Sequence, residues 1–117
     1  MNNTQMEKMI IEKQKGYTTA EVIAKFDMHA RPAREIAVYC DQYKEREIYL
    51  ESEIEINCKS LMGVLSAGIL KGEKIRIKVE GIDSKAEEIA TRLYNALSIE
   101  NDREIHSKLF DIVSCSK

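Results

Sequence analysis

The sequence predicts an α+β fold in which helices cover one face of an antiparallel sheet, and three observations predict it. Apolar residues alternate with polar ones in the strand segments, which gives each strand one face for a core and one for water. The segments run strand, helix, two strands, short helix, strand, helix, an order that favours a two-layer sandwich over a doubly wound parallel sheet. The chain has 117 residues, 44% of them apolar and 32% charged, which suits one domain around one core. A ferredoxin-like arrangement shares much of this element order and stays open at this level.

The first sixteen residues read as a short helix, with Thr4 as its cap, Glu7 three positions later and Gly16 as its end. Met6, Met9, Ile10 and Lys13 follow a helical spacing there. A strand is predicted from Thr19 to Ala24, where Ala20, Val22, Ile23 and Ala24 are interrupted only by Glu21. Residues 30 to about 43 carry Ala33, Ile36, Ala37, Cys40 and Tyr43 at the spacing of one helical face. Pro32 fits the first turn of that helix, where its missing N–H has no intrahelical acceptor to lose.

Ile48 and Leu50, then Ile54, Ile56 and Cys58, predict a hairpin turning through Glu51, Ser52 and Glu53. Ser60 is placed to cap a short helix that reaches Leu65 or Ala67 and ends at Gly68. Ile75, Ile77 and Val79 alternate with Lys74, Arg76, Lys78 and Glu80, the clearest strand pattern in the chain. Ser84 and Glu87 form a capping box ahead of a helix that aligns Ala86, Ile89, Ala90, Leu93 and Leu97. Beyond Ser98 the charged stretch from Glu100 to Glu104 interrupts it, and Ile105, Leu109, Ile112 and Val113 suggest a further amphipathic piece.

Composition narrows the function classes. With 18 basic and 20 acidic residues the formal net charge is −2, which argues against a strongly basic nucleic-acid-binding domain, and no Trp supplies a stacking platform. The apolar runs fall far short of a membrane span and no apolar signal core opens the chain, so a soluble cytoplasmic protein without membrane insertion is expected. Cys40, Cys58 and Cys115 form an odd, widely spaced set with no CxxC pair, which fits reduced thiols better than disulfides or a metal site. No metal or cofactor is implied, and the lone His106 in the tail reads as a surface residue. Lys71, Lys74, Arg76 and Lys78 read mostly as the solvated side of a strand.

The run Met28-His29-Ala30-Arg31-Pro32-Ala33 carries the chemistry, because it places an imidazole and a guanidinium at the positive end of a helix. Free N–H groups and the helix macrodipole favour an anion there, typically by about 0.3 to 1 kcal/mol at exposed sites, and Arg31 adds charge-assisted hydrogen bonds. The same positive field disfavours an imidazolium, leaving a neutral ring whose lone pair can accept phosphorus. A phosphoryl group fits such a place.

A second run, Lys59-Ser60-Leu61-Met62-Gly63-Val64-Leu65-Ser66-Ala67-Gly68, is followed by Lys71-Gly72. Together the two runs resemble HPr, the histidine-containing phosphocarrier of the bacterial phosphoenolpyruvate:sugar phosphotransferase system. The resemblance covers roughly residues 17–98, leaving extensions at 1–16 and 99–117 that are expected to be helical and partly helical. It implies an open-faced β-sandwich with a four-stranded antiparallel sheet and three helices on one face. By resemblance His29 matches the phosphorylated histidine, Arg31 the arginine that assists transfer, and Ser60 the serine phosphorylated by an ATP-dependent HPr kinase. The implied partners are enzyme I as donor, IIA components as acceptors, and an HPr kinase/phosphorylase and a transcriptional regulator for control. The protein would then be a stoichiometric relay rather than a turnover enzyme.

Leu61, Met62 and Leu65 are candidates for an apolar docking patch beside His29, with burial in the core the competing expectation for at least one of them. Phe26-Asp27-Met28 stands where the family usually has a small or polar residue and a glycine, so Asp27 is expected to bring negative charge close to an incoming phosphoryl group. Arg34 replaces the usual threonine or alanine and adds positive charge nearby. These departures support an alternative, an HPr-like regulatory interaction module outside sugar transport. A small ligand-binding or interaction domain with an incidental histidine is a third reading, disfavoured by the presence of both runs.

Overall fold

The computed structural model describes residues 8–111. Five strands form one antiparallel sheet: β1 (Ile11–Gln14), β2 (Tyr17–Ile23), β3 (Ile48–Glu51), β4 (Glu55–Asn57) and β5 (Lys74–Glu80), in the spatial order β1-β2-β5-β3-β4. Four helices accompany it: α1 (Ala30–Asp41), α2 (Leu61–Ser66), α3 (Ser84–Leu97) and α4 (Ile105–Phe110), the last preceded by a 3₁₀ turn at Asp102–Glu104. The sheet is open, and ferredoxin-like topology gives way to this strand order.

Register explains how alternation builds the core. Ala20 pairs with Ile77, Ile77 with Leu50, and Leu50 with Ile56, so one cross-strand row is apolar from end to end. The neighbouring row runs Glu21, Arg76, Glu51, Glu55 on the solvent face, where Arg76 stands between Glu21 and Glu51 while Glu51 and Glu55 oppose each other as like charges that need a nearby cation. Lys78 also lies on that face, reaching Glu51 and Glu55 at 3.4 and 3.3 Å and standing over the Tyr17 ring. Side chains from all four helices join the apolar strand face in one continuous cluster, with Ile36, Ile48, Leu50, Ile75, Ile77, Ile89 and Leu93 fully buried.

The N-terminal segment departs from expectation. Residues 1–7, and with them Thr4, Met6 and Glu7, lie outside the described residues, but Ile11–Gln14 is a strand and not the end of a helix. Lys15 and Gly16 both have positive φ, 53° and 86°, the condition for a two-residue turn whose twist matches the flanking strands. Gly16 therefore closes a hairpin, with Gln14 opposite Tyr17 and Ile11 opposite Ala20, and the sheet has a fifth strand on its β2 edge.

Three smaller differences follow from local chemistry. Asp83, not Ser84, caps α3: its carboxylate accepts the Ala86 N–H at 3.1 Å while the Arg46 guanidinium grips both of its oxygens. Ile54 falls in the tight β3–β4 turn, where Ser52 N–H donates to its carbonyl, so its side chain faces water instead of the core. In the C-terminal segment Ile105 and Leu109 are buried as their spacing predicts, whereas Ile112 and Val113 lie outside the described residues. Cys40 and Cys58 are free and buried side by side in the core, and burial pushes the Cys58 thiol well above its ordinary pKa. Cys115 lies outside the described residues.

Candidate phosphoryl-acceptor site

The loop between β2 and α1 is tied down before it reaches the helix. Phe26 and Met28 are buried, and Met28 N–H donates to Ile69 carbonyl at 2.8 Å. These two apolar side chains give the loop the rigidity that glycine would withhold. Between them Asp27 turns outward and accepts the Lys71 N–H at 2.8 Å, so its carboxylate joins two loops. The carboxylate expected beside the site is thus hydrogen-bonded to the backbone amide of Lys71.

His29 is the N-cap of α1, with extended backbone angles of −138° and −172°, and its carbonyl accepts the Ala33 N–H at 3.0 Å. Its side chain makes no capping hydrogen bond, so the imidazole is not spent on the helix. The N–H groups of Ala30 and Arg31 belong to the first turn and have no intrahelical acceptor. The buried Pro32 ring seats that turn against the core. The His29 and Arg31 side chains are 51% and 52% exposed, open to solvent.

One more residue completes the arrangement, and it comes from the far end of the chain. Asp102 Oδ2 lies 2.5 Å from His29 Nε2, and its other oxygen lies 4.0 Å from the Arg31 guanidinium. In the sequence this stretch, Glu100 to Glu104, shows only charges that interrupt a helix. No local pattern marks this pairing, because it spans 73 positions and depends on how α4 packs. The same packing brings His106 Nδ1 to within 2.8 Å of Glu35 on α1, with the His106 ring stacked on Phe110. His106 is thus a surface residue with a structural partner.

The second run forms a neighbouring feature on α2, which packs against α1. Ser60 is its N-cap and accepts the Gly63 N–H at 2.9 Å. Leu61 and Met62 are exposed, Met62 strongly so, whereas Leu65 is half-buried against the core and Val64 is fully inside it. Arg34 is exposed on the second turn of α1. Among the described residues no group of His, Cys, Asp and Glu is placed to hold a metal, and no helix is long and apolar enough to cross a membrane.

Comparison with known proteins agrees with the fold. The family model described as the PTS HPr component phosphorylation site matches residues 17–106, more than half of the chain. The chain belongs to the HPr family. It is 31% identical over 68 residues to the phosphocarrier protein HPr of Treponema pallidum, covering 58% of this chain and 77% of that one. With the HPr of Mycoplasma pneumoniae it shares 39% identity over 59 residues, 50% of this chain and 67% of that one. The crystal structure of HPr from Bacillus anthracis superposes with a TM-score of 0.60 at 27% identity, covering 72% of this chain and all of that one. The HPr match extends through the 3₁₀ turn and into α4, and so includes Asp102.

Proposed function

We propose that this HPr-family protein is a phosphocarrier that accepts a phosphoryl group on His29 from enzyme I and hands it to IIA components of sugar transporters. The observation that carries the reading is the half-exposed, uncapped imidazole of His29 at the start of α1, followed by an exposed Arg31. A lone pair of the ring attacks phosphorus, and the donor nitrogen recovers the electron pair of the bond that breaks. The free amides of the first turn and the Arg31 guanidinium then face the phosphoryl oxygens. An open site that binds the group lightly keeps loading and unloading comparably easy, as a relay requires.

Ser60 is the regulatory position in this proposal, phosphorylated by an HPr kinase/phosphorylase. A phosphoryl group there adds about −1.5 to −2 charges at a helix start, where the local field tolerates them. The consequence falls on the surface next to it, where exposed Leu61 and Met62 would meet enzyme I, a IIA component or a transcriptional regulator.

Incubation with phosphoenolpyruvate and enzyme I, followed by intact mass at neutral and acidic pH, tests the relay. The wild type gains one acid-labile phosphoryl group and His29→Ala gains none. A wild type that stays unmodified with several enzyme I preparations refutes the carrier and leaves the regulatory module. Kinase and ATP should add an acid-stable group that Ser60→Ala does not acquire.

A further inference from the structure

We propose that Asp102 is a positioning residue for phosphoryl transfer, a carboxylate brought in from the far end of the chain that holds the His29 ring proton on Nε2 and so fixes the tautomer and orientation of the reacting imidazole. The inference rests on the phosphocarrier reading above and concerns what prepares the ring. An ionised carboxylate only accepts hydrogen bonds, so in the 2.5 Å contact with Asp102 the proton belongs to Nε2. A neutral imidazole protonated there carries its lone pair on the other nitrogen. His29 makes no side-chain cap, so Nδ1 is not drawn into the helix start, and the ring is half open to an incoming donor.

The electron and charge balance supports this role. The Nδ1 lone pair forms the new N–P bond as the donor's bond to phosphorus breaks and its pair returns to the donor. Nε2 keeps its proton throughout, so the His29 ring becomes cationic while a protonated phosphoimidazole donor becomes neutral. Positive charge therefore develops beside the Asp102 carboxylate, which favours the loaded state of the ring. No further reactant is needed.

The segment that carries Asp102 is built as part of the core and not as a removable lid. Ile105 and Leu109 are each 1% exposed, and the Arg92 guanidinium donates to the carbonyls of Leu109 and Asp111 at 3.1 and 2.9 Å. Glu35 holds His106, and the Phe110 ring meets Tyr39 edge-on. Asn101 caps the 3₁₀ turn by accepting the Arg103 N–H at 3.1 Å, which fixes the backbone on either side of Asp102. A carboxylate on such a mount stays beside the ring while phosphorus is exchanged.

The test uses ¹⁵N-labelled full-length protein and phosphoramidate, a small donor that needs no partner protein. In the wild type, with the ring neutral, Nε2 should show the protonated signature and Nδ1 the unprotonated one, and loading should place the phosphorus coupling on Nδ1. Asp102→Ala should give a mixture of ring tautomers and load about ten- to a hundredfold more slowly, the usual cost of losing a partner that orients a histidine. Asp102→Glu should recover part of both effects, and the isosteric Asp102→Asn, which keeps the packing, should load more slowly than wild type. Unchanged or faster loading in the Ala and Asn variants overturns the inference, because the carboxylate would then be occupying the anion's place. Phosphorus on Nε2 overturns it as well. A wild type that takes no phosphoryl group from either phosphoramidate or enzyme I overturns the carrier reading and this inference together, whereas a loaded wild type with an indifferent Asp102→Ala overturns the inference alone.

Discussion

Replacing Leu109 by alanine removes the main apolar anchor of α4 and so measures whether the C-terminal segment is part of the core. A six-residue helix has no stability of its own in water, so α4 exists because Leu109 and Ile105 are buried against the rest of the molecule. Leu109 is 1% exposed, and truncating so enclosed a leucine loses its transfer free energy and leaves a cavity. The combined cost is about 3 kcal/mol. With a urea dependence of about 2 kcal/mol per molar for a small domain, the unfolding midpoint should fall by about 1.5 M. Urea titration followed by circular dichroism gives the midpoint and slope. The His29 ring nitrogens should shift in the same variant toward their positions in Asp102→Ala, because the mount of Asp102 has been loosened. A midpoint that falls by no more than about 0.25 M, equivalent to the roughly 0.5 kcal/mol of an ordinary surface substitution, would refute the reasoning.

Gly16→Ala tests the β1–β2 turn: no atom lies within 4 Å of the added Cβ, so the cost is the backbone's alone at φ 86°, about 1 kcal/mol, and an unchanged thermal midpoint would exclude that turn. Asp83 links pH to stability. The Arg46 guanidinium and the Ala86 N–H hold its carboxyl at about 2, below its ordinary value of 3.8, so the unfolded chain binds the proton more readily. Its contribution is complete above about pH 4 and is lost as pH falls toward about 2. Asp83→Asn should therefore lose less stability than the wild type over that window, and parallel midpoint curves would show that the Arg46 pair is not felt.

Much of the candidate site was legible because its residues signal locally. His29, Arg31 and Pro32 lie within one helical turn, and Ser60 precedes a short apolar run, so chain order alone put the imidazole at a helix start and the hydroxyl at a cap. The strict alternation of β5 likewise left no choice of face, since a shift by one residue would put Lys78 where Ile77 lies buried. Asp102 was illegible for the opposite reason: its partner His29 lies 73 positions away in the chain.

Ile11 to Tyr17 shows where local signals divide. A glycine after a mixed polar and apolar stretch serves equally as a helix end or a hairpin turn, and the empty edge of β2 chose the hairpin by offering hydrogen-bond partners. By itself the order of residues determined the periodic elements and the chemistry at the start of α1, because both depend on neighbours within a few positions. Tertiary packing decided the edge strand, the Asp83–Arg46 cap and the carboxylate beside His29, because each joins groups that meet only after the chain has closed on its core.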